Sequence, residues 1–497
     1  MTLNTDIRNK LVRKNRFKKK KPELEALPIF SEIKNDLPQP LWDEHQEVID
    51  CYWKTWEIAF SNIKKPEQKS GFITNFIDTA FNDNLFMWDS AFIVMFARYG
   101  SRVFNFQKTL DNFYAHQHSD GYICREIREI DGVEVFQKYD VSSTGPNVLP
   151  WAEWEYFLNS GDLERLSEVF YPLLAYYQWF RTFRSWQNGT YYSSGWGCGM
   201  DNQPRLPSKN DDPMKSHGHM SWIDTTLQQI LSGSILIKMA DILNQQKSVE
   251  DIKIEINELS NYVNKNMWDE TSSFYYDRFK DGKLSNVKTI GAYWALLAGI
   301  VPKGRVPAFL DHLRNPNEFN RPHRIPTLSA DHESYHPKGA YWRGGVWAPT
   351  NYMVLRGLNF IGENDLAHEI AMNHLDNVVQ VYNNTETLWE NYAPESVAPG
   401  SVAKKEFVGW TGLVPISVLF ENVFGIRPNV PEKQITWDIR LLERHGIKKY
   451  PFGKENLLDL ECAARQDPTE EVQIKATSKI PISLLIKWIG GEKEINI

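Results

Sequence analysis

Two scarcities narrow the possibilities first. No stretch approaches the roughly 18–20 consecutive apolar residues a membrane-spanning helix needs, so transport or anchoring by such a helix is not expected. Cysteine is rare: Cys51, Cys124, Cys198 and Cys462 stand far apart in 497 residues, with no CxxC spacing. That excludes a disulfide framework or zinc ribbon and suits free thiols in a reducing compartment, the cytoplasm. No GxGxxG opens a helix, so a dinucleotide cradle is not expected either. An apolar fraction of 42% with 24% charged residues excludes a largely disordered chain and supplies a large core.

The net charge of −7 is unevenly spread. Residues 1–21 carry nine Lys/Arg (Arg8, Lys10, Arg13, Lys14, Arg16 and Lys18 to Lys21) against Asp6 alone. Residues 1–27 therefore read as a basic, solvated, flexible tail. After Lys21 comes Pro-Glu-Leu-Glu, which is not the apolar core of a secretory signal. The body shows no basic stripe, so nucleic acid is not an expected partner.

What the chain has in excess is tryptophan, 18 in all. Flat indole faces serve ring-shaped ligands, which directs attention to a ring-binding cleft. Helical periodicity dominates from about residue 40 to 425, with segments near 41–63, 88–99, 103–117, 147–159, 162–185, 221–244, 248–266, 288–299, 303–313, 346–360, 362–381 and 408–423. Twelve helices with long loops at alternate junctions predict an (α/α)6 barrel, a toroid of six helical hairpins, over 28–427. Residues 428–497 read as a small antiparallel β module, from alternating stretches such as QITWDIRLLE and ISLLIKWI between turn signals.

Four loop segments are richer in Trp, Gly and acids than packing requires. In NDNLFMWDSAF (82–92), Asp89 beside Trp88 reads first as a helix N-cap. In SSGWGCGMDNQPRLP (193–207), three glycines around Trp196 lead to Asp201, Asn202 and Arg205, the makings of a pocket wall. The third, 329–358, gathers Asp331, His332, Glu333, His336, Tyr341, Trp342, Arg343 and Trp347. Its HxxxH spacing is broken by Pro337 and Gly339, so a zincin-type metal site is not expected. The fourth, ETLWENYAPESVAPG (386–400), offers Glu386, Glu390 and Glu395, of which Glu390, between Trp389 and Asn391-Tyr392, has the most ligand-like setting.

Two isolated carboxylates, Asp201 and Glu390, each near Trp and hydrogen-bonding side chains, suit glycoside hydrolysis. One donates a proton to the leaving oxygen, and the other attacks the anomeric carbon or activates water. A polysaccharide lyase or sugar epimerase on the same toroid, or a non-catalytic carbohydrate-binding protein, are the alternatives.

MWDSAF (87–92), SGWGCGMDNQPR (194–205), YWRGGVWAPTNYMVLRGL (341–358), LWENYAPE (388–395) and GWTGLVP (409–415) occur in one order. In these motifs the chain resembles the six-hairpin glycosidases of the glucosidase I type, glycoside hydrolase family 63. It also resembles the mannosylglycerate hydrolases and, more remotely, the trehalases. The resemblance implies an inverting, exo-acting hydrolase of an α-linked glucosyl or mannosyl unit, with no cofactor. It implies Asp201 as general acid and Glu390 as general base, with Glu395 a rival. It further implies a pocket walled by Trp88, Asp89, Trp196, Asn202, Arg205, Tyr341, Trp342, Arg343, Trp347 and Tyr392, with Gln117 or His118 and Arg125 reaching the same place. The sequence shows neither the N-terminal β-sandwich nor the membrane anchor of the processing glucosidases, which argues against an N-glycan substrate.

Overall fold

The computed structural model describes residues 8–208 and 210–497. Twelve helical segments carry the fold. In the first half they are α1 (Gln46–Ser61), α2 (Met87–Ala97), α3 (Thr109–Ala115), α4 (Leu149–Ser160), α5 (Leu163–Phe183) and α6 (Ile223–Ile242). In the second they are α7 (Glu250–Asn266), α8 (Trp294–Leu297), α9 (Val306–Arg314), α10 (Ala348–Ile361), α11 (Asn364–Thr385) and α12 (Val414–Val423), the last wound as a π-helix. Each falls within, or a few residues from, a segment read from the periodicity.

The even-numbered helices touch in sequence: α2 packs on α4, α4 on α6, α6 on α8, α8 on α10, α10 on α12, and α12 returns to α2. Composition explains which helices sit inside. Every residue of α2 is buried, and it is apolar nearly all round, as a helix enclosed on all sides must be. The outer α7 buries only Ile252, Leu259 and Val263 and turns a charged face to solvent. At the centre, Trp151 of α4 stacks edge-on against Trp294 (5.5 Å) and Phe92 (5.9 Å) and parallel to Tyr352 (5.8 Å). Truncating such a residue to alanine costs about 3–5 kcal/mol. Lower in the ring, Arg98, Arg356, Glu155 and Glu421 form a buried, charge-balanced network joining α4, α10 and α12 to the end of α2. Among the described residues no helix is long and apolar enough to cross a membrane.

The β region departs from expectation in two ways. It forms two four-stranded sheets, and one of them takes a strand from near the other end of the chain. The strands are β1 (Gln39–Trp42), β2 (Ile426–Asn429), β3 (Gln434–Asp438), β4 (His445–Phe452), β5 (Asn456–Cys462), β6 (Ile474–Thr477), β7 (Ser483–Trp488) and β8 (Gly491–Asn496). The first sheet runs β1-β4-β5-β6, with Gln39 opposite Lys448 and Trp42 opposite His445. The second runs β8-β7-β3-β2, and β7 pairs with β3 in parallel, so the region is not purely antiparallel.

The expected flexible tail is corrected over residues 8–27; its first seven residues lie outside the described residues. Two 3-10 turns, Lys10–Lys14 and Phe17–Lys19, lie against α5 and α3. Phe17 is fully buried and meets Tyr114 at 5.1 Å. The buried Asn15 amide donates to the Tyr114 carbonyl and to Gln117 Oε1, both at 2.9 Å. Apolar anchors and a satisfied amide hold a segment whose composition alone reads as solvated.

Candidate active site

The connections that lead from an outer helix to an inner one are the long ones, and they gather at the N-terminal ends of the inner helices. There they enclose a cavity of about 390 Å³, within the range usual for small-ligand sites. Its floor and walls include Trp88, Asp89, Trp342, Glu390 and Trp410, all buried, together with the partly exposed Asp201, Trp196 and Tyr341.

Each wall has a local cause. Helix α2 begins at Met87 after Phe86, so Asp89 sits in the first turn and lines the cavity instead of capping the helix. A two-stranded ladder pairs Phe86 with Glu126 and brings both to the cavity. The 194–205 loop folds back so tightly that a Cβ on Gly195 would lie 2.1 Å from the Asp201 carbonyl oxygen. Gly199 adopts φ +75°, with the Trp88 indole 3.1 Å from where its Cβ would be, so a side chain there would displace that ring.

The acid loop is coupled to the opposite wall. Asn202 Nδ2 donates to the Ala340 carbonyl (3.0 Å), and its Oδ1 accepts the Trp342 N–H (2.9 Å). Between these bonds Ala340 and Tyr341 hold φ +38° and +69°, a left-handed backbone unusual for residues with a Cβ. The turn delivers the Tyr341 hydroxyl to Glu390 Oε1 at 3.3 Å, while the Lys404 N–H donates to Oε2 at 2.9 Å. Trp347 stacks behind Trp342, ring centroids 3.8 Å apart at 6°, and its Nε1 donates to the Tyr341 carbonyl. The Nε1 atoms of Trp88 and Trp342 are buried and find no acceptor among the described residues, while their rings contribute to the cavity lining.

Burial dominates the electrostatics. It raises Asp201 to about 6 against the pull of the Arg125 guanidinium, and raises Glu390 to about 7 despite its two donors, with the Asp201 charge adding to the rise. Burial and the neighbouring Glu390 push Asp89 well above the carboxylate range. Near pH 6.5 the Asp201–Glu390 pair therefore holds about one proton between its members.

Several expected wall residues stand elsewhere. Gln117 is a buried brace: its amide donates to the Gly121 and Pro172 carbonyls and accepts from Asn15. Arg205 lies beneath the loop with its guanidinium between Asp224 and Asp277, four contacts of 2.6–2.9 Å, against the Trp222 ring. Tyr392 is buried beside His323, its backbone zipped to Val346, and its hydroxyl accepts the Trp389 N–H. Arg343 points to solvent, while Asn202 and Trp347 support the wall from behind. His118 pairs with Glu134 in a separate surface groove. Glu395 is held by both arms of Arg321 (2.7 and 2.9 Å) and by Tyr335, which keeps it below the usual carboxylate range and away from the cavity lining. Glu386 is exposed at the end of α11. Asp331 pairs with Lys288, and His332 and His336 each accept a nearby backbone N–H. Arg125 does line the cavity.

The sequence reading missed Glu126, Phe81, Phe86, Phe136 and Trp410 as lining residues. Trp410 lies in the GWTGLVP motif, and its Nε1 donates to the Glu390 carbonyl at 2.9 Å. Glu126 adjoins Arg125. Phe81 and Phe136 carry no signal beyond being aromatic.

Residues 82–411 match the family of the mannosylglycerate hydrolase MGH1-like glycoside hydrolase domain. The chain belongs to this family. It is thus a glycoside hydrolase homologue with the ring of helices and acidic cavity described above. A protein of Borreliella burgdorferi is 26% identical over 378 residues, covering 74% of this chain and 77% of its own. A probable mannosyl-oligosaccharide glucosidase of Schizosaccharomyces pombe is 26% identical over 52% of this chain, which spans about a third (35%) of that protein. The fold matches a GH63 mannosylglycerate hydrolase from Thermus thermophilus in complex with glucose, with TM-score 0.60 and 18% identity, over 73% of this chain and 99% of that one.

Proposed function

We propose that this enzyme is an inverting, exo-acting glycoside hydrolase that releases an α-linked glucosyl or mannosyl unit from a small glycoside or oligosaccharide. The observation that carries the reading is the pairing of Asp201 and Glu390 in one tryptophan-walled cavity, both raised by burial to values near neutrality. The cyclic contacts of the inner helices support an (α/α)6 barrel as its frame. Asp201 protonates the glycosidic oxygen as the bond to the anomeric carbon breaks. Glu390 takes a proton from a water whose oxygen bonds that carbon from the other face. Two donors, Tyr341 Oη and the Lys404 N–H, orient the Glu390 carboxyl for that task. The Trp88 and Trp342 rings in the lining suit the face of a sugar, and a glucose bound in the Thermus thermophilus relative supports a ligand of that size. Four buried free cysteines support a cytoplasmic setting.

Proton NMR of fresh reactions with a panel of α-glucosides and α-mannosides tests the proposal. Early β-anomer is the expected product. Early α-anomer means retention and makes Glu390 a nucleophile. An unsaturated product absorbing in the ultraviolet identifies a lyase, and saturable binding without turnover identifies a carbohydrate-binding protein.

A further inference from the structure

A second cavity, of about 400 Å³, lies where three turns meet: 185–191 after α5, 216–221 before α6, and 278–284. Backbone bridges join Ser185 to Tyr191, Ser221 to Arg278 and Arg278 to Leu284, so the turns are tied to one another. This cavity is as roomy as the catalytic one and shares no lining residue with it. None of its residues takes part in the hydrolysis proposed above.

The charge of the lining is opposite to that of the protein. The chain carries −7 overall, and in the catalytic cavity the carboxyls of Asp89, Glu126, Asp201 and Glu390 face the single guanidinium of Arg125. In the second cavity Arg278 and Lys280 line the space and no carboxylate does. Arg278 Nη1 donates to the neutral Tyr262 hydroxyl at 2.8 Å, the only hydrogen bond its guanidinium makes among the described residues. Lys280 is exposed and has no ion pair among them. The adjoining acid, Asp281, is taken by Lys283, through its backbone N–H at 3.0 Å and its ammonium at 3.2 Å. Two cations in one concavity with no carboxylate to balance them favour an anion.

A ring surface adjoins these charges. Trp186 is half-buried, its Nε1 donating to the Met220 carbonyl (2.8 Å) and its ring against Tyr192, centroids 4.5 Å apart. His219, whose N–H donates to His217 Nδ1 (2.9 Å), lies within 29° of parallel to that indole, 6.3 Å away. Asn188 donates to the same Tyr262 hydroxyl as Arg278, at 2.9 Å, which places the guanidinium beside the turn that carries the indole. A guanidinium fork matches phosphate oxygens, an ammonium adds a point charge, and an indole face stacks on a pyranose or a base.

We infer that this second cavity is a binding site for a phosphate carried on a ring, with Arg278 and Lys280 on the phosphate and Trp186 on the ring. A sugar phosphate and a nucleotide share that chemistry.

Calorimetric titration of the full chain carrying Asp201→Asn, which keeps turnover out of the heat, tests it with glucose-6-phosphate against glucose, AMP against adenosine, and inorganic phosphate. At least one ring phosphate should bind about tenfold or more tightly than its phosphate-free partner and than inorganic phosphate. Adding Lys280→Glu, at an exposed side chain, should weaken that binding at least about tenfold with thermal unfolding unchanged. Whichever ring phosphate leads identifies the source of the ring. Binding of neither, equal binding of the phosphate-free partner, or binding indifferent to Lys280→Glu overturns the inference, the last by placing the ligand elsewhere. Inorganic phosphate binding as tightly as the ring phosphates overturns the role of Trp186. The hydrolase reading, which uses none of these residues, stands or falls separately on the anomer released.

Discussion

Asn202 offers the sharpest test of how the two halves of the site are held together. Its amide makes two bonds to the 340–342 turn, at 3.0 and 2.9 Å. Each is worth about 1 kcal/mol net. Against them stand two residues with a Cβ at positive φ, Ala340 and Tyr341, each costing on the order of 1–3 kcal/mol. The terms are comparable, so the turn sits close to balance, and removing the amide tips it toward relaxation. Tyr341 then swings its hydroxyl off Glu390, and Trp342 loses its backbone anchor. Asn202→Ala should lower kcat/KM by about 10- to 100-fold, or about 1.4–2.8 kcal/mol of barrier. Adding Ala340→Gly, which removes the steric penalty at one of the strained positions, should return part of that loss. A double-mutant cycle with Tyr341→Phe should show coupling of about 1 kcal/mol, because both changes remove the same donor from Glu390. Wild-type kinetics for Asn202→Ala, or strict additivity with Tyr341→Phe, would refute the reasoning.

Three further outcomes are expected. With Asp201 raised to about 6 and Glu390 to about 7, the shared proton rests mainly on Glu390, and turnover runs through the minor form with Asp201 protonated and Glu390 ionised. Even so, kcat/KM should peak near pH 6.5, falling in acid as the pair takes up a second proton and in alkali as it loses its last one; a flat profile between pH 5 and 9 would contradict the pairing. Arg205→Met leaves the Asp224 and Asp277 carboxylates buried without their partner and should cost about 3–5 kcal/mol in urea unfolding; a raised KM at unchanged stability would return Arg205 to the cavity wall. Glu390→Gln should lower turnover by about 10²–10⁴-fold, whereas Glu395→Gln, acting on an ion pair outside the lining, should change it less than about threefold. The reverse order would move the base to Glu395.

Much of the architecture was legible because it is local. Amphipathic or wholly apolar periods marked all twelve segments, and the alternation of long and short connections announced which ends would carry loops. Asp201, Glu390, Trp88, Asp89, Trp196, Tyr341 and Trp342, picked out by composition and motif, meet in one cavity. What failed depended on distant partners. Arg205 is two residues beyond Gln203 in the acid loop, but its role is set by Asp224 and Asp277, and Gln117 by carbonyls on other segments. The basic arm read as solvated because its anchors, Val12, Asn15 and Phe17, are few among lysines and arginines. The lining aromatics Phe81 and Phe136 had no motif to mark them.

The pairing of β1 with β4 joins residues about 400 positions apart, and this has a consequence during synthesis. At about 5–20 residues per second, β1 leaves the ribosome on the order of 20–80 s before the strand it must meet. Throughout that interval it is an unpaired edge, the kind of segment that recruits the wrong neighbour. Its four residues include Pro40, which lacks the N–H a full ladder would use and makes the strand a poor template for strangers. The sheet thus waits for β4 to complete a pairing whose first strand was made long before and is protected in the interval.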